Sequence, residues 1–375
     1  MTCVVLLIAF LGFRRFAAQT GPAPRATPVN WPEGMDPASA AQLLQQLGLI
    51  DAPGWMEAFL ARRDAGACFV AGPHLLPARA TPNQILAALC RDPDRARVKV
   101  TLVEGFHRFA MARRLEDAGV VSGDAFLHAT EDPELLRRLG VAPAADEAGG
   151  SAEGFLFPAT YQFSVDAAPE TVVARLVGEM SRRVDHLIGR HRAGWLRLTE
   201  EFAFDRRDLL TLASIVEKEA AVADERATIA SVFLNRLRDP EFPHLQSDPT
   251  AMYGCLALGP EAVASCRRWN GKASGAINRD PDNRFSTYVT PGLPPGPIAN
   301  PGAAAIEAVL APKSTTYRFF VARGRGRHTF SETYDEHRAA IREARRRGRS
   351  SPNVAPGPGA GATNPAEAIP RRGAP

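Results

Sequence analysis

The sequence predicts an α+β protein built from two folded modules. Three observations carry that expectation. Helical periods alternate with short β-branched runs, one such pattern occurs twice, and a low-complexity joint separates the repeat from a longer helical part. At 375 residues the chain is also longer than one typical domain. Hydrophobic residues make up 45% and charged residues 23%. That balance excludes a wholly disordered chain, a collagen-like repeat and a polytopic membrane protein. Lys and Arg number 45 against 41 for Asp and Glu, a net charge of +4, too small an excess to argue for a nucleic-acid partner.

Cys3–Phe13 (CVVLLIAFLGF) is an uninterrupted apolar run, about half of the roughly 20 residues that a membrane-spanning helix needs. Residues 1–20 read as an export signal or a truncated membrane anchor, with the small residues Ala17 and Ala18 after the run. Arg14 and Arg15 follow it and no basic residue precedes it, an arrangement that runs against the positive-inside rule. Export is the expectation. Residues 21–37 (GPAPRATPVNWPEGMDP) read as a linker.

The first module is expected over residues 38–140. Ala41–Ile50 leads to Ala58-Phe59-Leu60, and Ala112–Val121 leads to Ala125-Phe126-Leu127. Each stretch reads as a helix, a glycine stop (Gly48, Gly119), an aliphatic pair and a second helix. Between them Cys68-Phe69-Val70 reads as a short strand, Asn83–Cys90 as a helix and Val98–Val103 as a strand. Ala142–Gly150 is the joint, and a larger domain spans 151–340, with a strand at Tyr317–Ala322. From Arg345 the chain is RRRGRS followed by Pro, Gly and Ala. Such a tail cannot bury a core and is expected to be disordered to residue 375, its arginines solvated or drawn to an anionic polymer or lipid surface. The five cysteines are Cys3, Cys68, Cys90, Cys255 and Cys266. They form no CxxC, so a zinc site has no support from spacing. In an exported chain Cys68–Cys90 and Cys255–Cys266 are available as pairs, and buried thiols are equally compatible with the sequence.

The most informative segment is Asp208–Arg226 (DLLTLASIVEKEAAVADER), read as one helix capped by Asp208. At about 100° per residue, Leu209, Leu212, Ile215, Val216, Ala220 and Ala223 share a face, with Thr211, Ser214, Lys218 and Glu225 opposite. Glu219 falls inside the apolar face, and Glu217 points away from it as a solvated or hydrogen-bonding neighbour. A carboxylate on a buried face is costly unless paired or neutralised. Two readings follow: a buried ion pair between Glu219 and Arg226, or a carboxylic acid kept protonated by burial and poised as a general acid. Downstream, Leu245–Thr250 (LQSDPT) is a polar turn where Asp248 and Thr250 fix backbone, and Gly292–Ile298 (GLPPGPI) is a stiff loop suited to the wall of a binding groove.

Six segments in order, Glu153–Pro158 (EGFLFP), Ala213–Glu219 (ASIVEKE), Ser231–Leu237 (SVFLNRL), Leu245–Thr250, Gly292–Ile298 and His328-Thr329-Phe330, resemble the endolytic murein transglycosylase (YceG-like) family of the bacterial cell envelope. The resemblance covers roughly residues 38–340. It implies a LysM-like first module and a catalytic domain over 151–340 whose acid is the second Glu of the ExE pair, Glu219. It therefore favours the general acid over the ion pair. It further implies cleavage of the β-1,4 bond between N-acetylmuramic acid and N-acetylglucosamine in nascent glycan strands, leaving 1,6-anhydro ends. Neither metal nor organic cofactor is implied. Glu153, Asn235, Gln246, Ser247, Asp248 and Tyr288 are expected to shape the sugar-binding groove. The implied setting is the inner membrane, through a single N-terminal anchor, with the catalytic domain in the periplasm beside peptidoglycan polymerases. The chain departs from the family pattern at Ala159, where Asp is usual, and at Phe285-Ser286-Thr287-Tyr288, where Tyr-Asn-Thr-Tyr is usual. Two alternatives stand beside this reading: a non-catalytic glycan-binding scaffold, and a hydrolysing muramidase with Asp248 as its second carboxylate.

Overall fold

The computed structural model describes residues 12–91, 97–141 and 150–350. The apolar run up to residue 11, residues 142–149 of the joint and the tail from residue 351 lie outside the described residues. Among the described residues no helix is long and apolar enough to cross a membrane. The architecture is α+β, with helices around three two-stranded sheets.

The chain parts into two compact units, Met1–Arg97 and Val98–Pro375. The division therefore falls inside the 38–140 span that the sequence suggested as one module. Val100, Leu102, Met111, Leu115, Val120 and Phe126 share a core with Leu212 and Phe233 of the larger unit. The second half of the repeat buries its apolar face there, a choice of neighbour that periodicity does not encode.

In the first unit, β1 (Thr27–Trp31) pairs antiparallel with β2 (Gly72–Leu76), Thr27 opposite Leu76 and Trp31 opposite Gly72. This corrects the linker expected over 21–37. Val29 and Trp31 alternate inward in a five-residue strand, and Pro28 is tolerated because a two-stranded ribbon has only edge strands. Helix α1 (Pro37–Gln46) starts at Asp36, whose carboxylate accepts the Ala38 and Ser39 N–H groups. Then come α2 (Pro53–Ala61) and α3 (Pro82–Leu89), the latter opened by a reciprocal Thr81–Gln84 capping box. Trp31, Leu44, Met56, Phe59, Leu60, Leu76, Ile85 and Leu89 are fully buried together. The strand expected at Cys68–Val70 is instead the end of a 3₁₀ turn, Ala65–Cys68. Cys68 and Cys90 form a disulfide, which ties that turn to the end of α3.

In the second unit β3 (Arg97–Thr101) lies beside β4 (Thr160–Ser164). Between them run α4 (Arg108–Asp117), α5 (Gly123–Ala129) and α6 (Pro133–Arg138). The repeat is visible here as geometry: Gly48 after α1 and Gly119 after α4 both take left-handed backbone, φ +68° and +69°. Helix α7 (Pro169–Arg190) buries Val172, Val173, Leu176, Val177, Met180, Val184 and Leu187, a single stripe of helical period. After α8 (Arg192–Phe202) comes α9 (Arg206–Glu219), then α10 (Arg226–Arg238), α11 (Asp248–Ala257), the short α12 (Gly259–Ala262) and α13 (Gly275–Asn278), and α14 (Ala303–Leu310). The hairpin β5 (Phe319–Gly324) and β6 (Arg327–Ser331) closes the unit, followed by α15 (Tyr334–Ser350). Residues 345–350, expected to open the disordered tail, therefore continue a helix.

Helix α9 differs from its sequence reading at both ends. Its N-cap is Asp205, and Asp208 is the third helical residue, returning a bond to the Asp205 N–H. It stops at Glu219 rather than running to Arg226, because Ala220 turns extended, φ −86° and ψ 97°. Its middle is buried all round. Thr211 and Ser214, read as a polar face, are 1% and 0% exposed. Ser214 stays satisfied by donating to the Thr211 carbonyl and accepting the Ile298 N–H, so a polar residue inside the core pins the Gly292–Ile298 loop onto the helix.

That loop is seated a second way. Gly154 has φ +83°, and a Cβ there would lie 2.3 Å from Pro297 Cγ. The EGFLFP and GLPPGPI segments thus meet where only glycine fits. Gly154→Ala is expected to lower unfolding free energy by at least about 2 kcal/mol through backbone strain and overpacking, measured by denaturant titration, whereas Gly189→Ala, in open space on α7, should not.

Candidate active site

Glu219 is the last residue of α9. A helix C-terminus disfavours negative charge, and Glu219 is partly buried at the end of a helix whose Leu212, Ile215 and Val216 are fully buried. Burial pushes the Glu219 carboxyl up to about 7, reinforced by the charge of Asp248 and opposed by a hydrogen bond from Ser247. The Ser247 hydroxyl donates to Glu219 Oε1 at 2.6 Å. A serine at a helix N-cap ordinarily accepts from the first-turn backbone, but Ser247 caps α11 with no such bond, and its side chain serves Glu219 instead.

The segment holding Ser247 is fixed by its neighbours. The Gln246 N–H donates to the Thr287 carbonyl at 3.1 Å, and the Ser247 N–H donates to Thr287 Oγ1 at 3.0 Å. Thr250 donates to the Ser247 carbonyl at 2.6 Å and accepts the Thr287 N–H at 3.1 Å. Gln246 sits at φ +53°, a left-handed conformation that costs about 1 kcal/mol or more for a residue with a side chain and collects at working sites. Upstream, the buried Arg236 of α10 donates to the carbonyls of His244 (3.1 Å), Leu245 (2.8 Å) and Arg318 (2.7 Å).

Asp248 opens α11, where the helix dipole favours an anion. Its Oδ1 accepts from the Tyr288 hydroxyl at 2.8 Å and from Asn278 Nδ2 at 2.7 Å. Burial, then Asp248, pushes the Tyr288 phenol up, so it remains a donor. The result is two partly buried carboxyl groups in unlike surroundings, one accepting a single bond, the other oriented by two donors. That division is how a pair of acids takes separate roles.

Of the residues expected around the sugar, Gln246, Ser247, Asp248 and Tyr288 are therefore brought together with Glu219, and Glu153 and Asn235 make their bonds elsewhere. Asn235 donates from Nδ2 to the carbonyls of Thr315 (2.8 Å) and Tyr317 (2.9 Å), fixing the entry to β5. Glu153 is 2% exposed. It accepts the Arg108 N–H (2.9 Å), the Tyr253 hydroxyl (3.0 Å) and Asn300 Nδ2 (2.7 Å), which joins α4, α11 and the loop before α14. Glu217 is not solvated. It takes the Gly302 N–H at 3.0 Å and pairs with Arg226 at 3.4 Å, so Arg226 is engaged by the first Glu of the ExE pair rather than by Glu219. His328 of the HTF segment bonds Glu225 through its backbone N–H and through Nδ1, the latter at 2.8 Å, and anchors the hairpin. Phe285 packs edge-on to Tyr253 with centroids 5.0 Å apart, and Ser286 donates to the Asn278 carbonyl at 2.6 Å. Sequence reasoning missed Asn278, Thr287 and Arg236. Arg236 lies in the SVFLNRL segment and Thr287 in the FSTY stretch, so both stood within recognised segments without being singled out, whereas Asn278 lies in none.

Among the described residues no three His, Cys, Asp or Glu side chains gather as a metal ion would require. An open hollow lined by Glu200, Glu201, Phe204, Asp208, Leu237 and Leu293 is separate, sharing no residue with the Glu219 group.

Burial also raises Glu153 to about 7. Both Glu153 and Glu219 thus bind a proton in the folded state that the unfolded chain releases near pH 4.5. Stability is present below that value and lost as pH rises through about 7, at about 1.4 kcal/mol per pH unit for each group. Urea unfolding between pH 4.5 and 7 should show the fall, and Glu153→Gln should make it shallower.

A family model for the YceG-like family matches residues 29–343. The chain is similar to the endolytic murein transglycosylase of Bacillus subtilis, 26% identical over 324 residues that cover 83% of each chain. It is similar also to that of Streptococcus pneumoniae (strain D39), 28% identical over 318 residues, 78% of this chain and 54% of that protein, so the chain spans about half of the pneumococcal relative. A crystal structure of a YceG-like protein from Listeria monocytogenes superposes with a TM-score of 0.53 at 27% identity, covering 84% of this chain and 98% of that one. With Glu219 standing at the end of the buried ExE helix and the match running through both compact units, the chain belongs to the YceG-like family.

Proposed function

We propose that the chain is an endolytic murein transglycosylase, a lyase that cuts the β-1,4 bond between N-acetylmuramic acid and N-acetylglucosamine within nascent glycan strands and leaves 1,6-anhydro ends. The observation that carries this reading is Glu219, a partly buried carboxyl at the end of α9 raised to about 7 by desolvation and held by the Ser247 hydroxyl at 2.6 Å. The names of the relatives support it independently.

One carboxyl group suffices for the whole cycle. Glu219, protonated, donates to the glycosidic oxygen as the C1–O bond breaks and positive charge develops at the muramyl C1. The muramyl C6 hydroxyl then attacks C1, and its proton goes to the Glu219 carboxylate, which restores the acid. No water is consumed, and the departing glucosamine carries away the first proton as its new hydroxyl. Burial first, and then the charge of Asp248, raise Glu219 to about 7, and Tyr288 and Asn278 orient Asp248 beside it. Gln246, Ser247 and Tyr288 are assigned to the sugar-facing wall, with Glu153 and Asn235 supporting it from behind.

The reading extends to the setting. The first unit is assigned as a LysM-like glycan-binding module, the apolar run at Cys3–Phe13 as the inner-membrane anchor, and the second unit as periplasmic, acting on strands delivered by peptidoglycan polymerases. Protease added to spheroplasts should digest the second unit, and protection of that unit would reject the placement.

The activity is tested by incubating the full chain with uncrosslinked glycan strands and weighing the products. Anhydro-ended fragments are expected from wild type and none from Glu219→Gln. Reducing ends carrying an added water would instead assign a muramidase. The base-side limb of the pH–rate profile should lie near pH 7. Ser247→Ala removes a donor to the carboxylate and should move that limb up. Asp248→Asn removes a neighbouring negative charge and should move it down.

A further inference from the structure

We propose that Asn278 is a positioning residue for the acid site, and that the disulfide-stapled lobe 259–278 serves to hold it there. This rests on the proposed acid role of Glu219. Asn278 ends α13, is 9% exposed and donates to Asp248 Oδ1 at 2.7 Å. A carboxylate only accepts, so the amide must present its nitrogen. Its own Oδ1 is buried and bonds nothing among the described residues. An orphaned buried acceptor costs about 1–3 kcal/mol, so an apolar side chain of the same size would suit stability at least as well. What Asn278 supplies is the bond to Asp248.

Asn283 ties the end of the lobe to α11, donating from Nδ2 to the carbonyls of Ala251 (3.0 Å) and Ile277 (3.1 Å), and Ser286 holds the Asn278 carbonyl at 2.6 Å. Ala251, Cys255, Val263, Cys266 and Ile277 form a hydrophobic cluster of their own, outside the two main cores. A cluster that small supplies little burial energy. A disulfide at its centre joins Cys255, on the helix that Asp248 begins, to Cys266, on the turn before α13. The Asp280 carboxylate accepts the Ser265 N–H at 3.0 Å and closes the lobe from the far side. The ionisable group that acts on Glu219 is Asp248, from α11; Tyr288 feels Asp248, Glu219 and Arg236 of α10. Asn278 and Tyr288 are the donors that fix Asp248 relative to the acid. Without Asn278 the Asp248 carboxylate keeps one donor and is free to swing toward water.

The test uses the full chain with glutamate side chains labelled with ¹³C, so that Glu219 titrates visibly with or without catalysis. Asn278→Leu is expected to lower the Glu219 midpoint in the direction of Asp248→Asn, to cut kcat by about ten- to a hundredfold with KM within about twofold, and to leave the thermal midpoint unchanged or higher. Cys255→Ser combined with Cys266→Ser, which spares Cys68–Cys90, should shift Glu219 the same way to a smaller extent. An unchanged Glu219 midpoint in Asn278→Leu overturns the proposal, as does a lost thermal midpoint that accounts for the lost rate. Should wild type release no anhydro ends, the transglycosylase reading fails, and the titration alone still decides whether Asn278 sets the environment of Glu219.

Discussion

The bond from Ser247 to Glu219 is the contact that the rest of the site is built to permit. It accompanies the end of α9 at residue 219, where Ala220 turns extended and the chain leaves the helix. It requires Ser247 to forgo its capping bond, and Gln246 to hold a left-handed backbone just before it. Each of those conditions costs free energy locally, and each is offset by bonds that converge from elsewhere: Thr250 and Thr287 on the backbone around Ser247, Arg236 on the carbonyls upstream. Strain at the reacting group and dense hydrogen bonding just behind it are two sides of one arrangement.

The same economy explains the ExE pair. Two glutamates two positions apart on a helix leave it in different directions. At the end of α9 one finds a backbone N–H and an arginine, the other finds one hydroxyl. Glu217 is thereby a structural tie between α9 and the start of α14, and Glu219 is left with few partners. The contrast needs no difference in residue type, only a difference in what the surrounding chain offers.

Much of this was legible beforehand. The wheel grouped Leu212, Ile215 and Val216, which are buried, but the face it set opposite is buried too at Thr211 and Ser214, while Glu219 is only partly buried; the stiffness of Gly292–Ile298 follows from proline alone. The two glycine stops at Gly48 and Gly119 announced their left-handed backbone. The helix end at Ala220 was not legible, because alanine is the best helix former and tertiary contacts override it. Strand β1 hid inside a proline-rich stretch whose inward residues number two. Asn278 and Arg236 act through partners dozens of residues away or through backbone carbonyls, for which a local pattern has no signature. The division at residue 97 was hidden for a similar reason, since an amphipathic helix declares that it has a buried face but not whose core receives it.

Arg236 couples the two segments that flank the acid. Its guanidinium grips the segment before Ser247 and the entry to the β5–β6 hairpin at once, and the turn of that hairpin rests on Ala221 and Val222, just past Glu219. The pieces on either side of the acid are thus riveted through one side chain and cannot swing apart independently. Loosening Arg236 would therefore free the segment before Ser247 and the entry to the hairpin together, so the surroundings of the acid answer to that one side chain as a single frame.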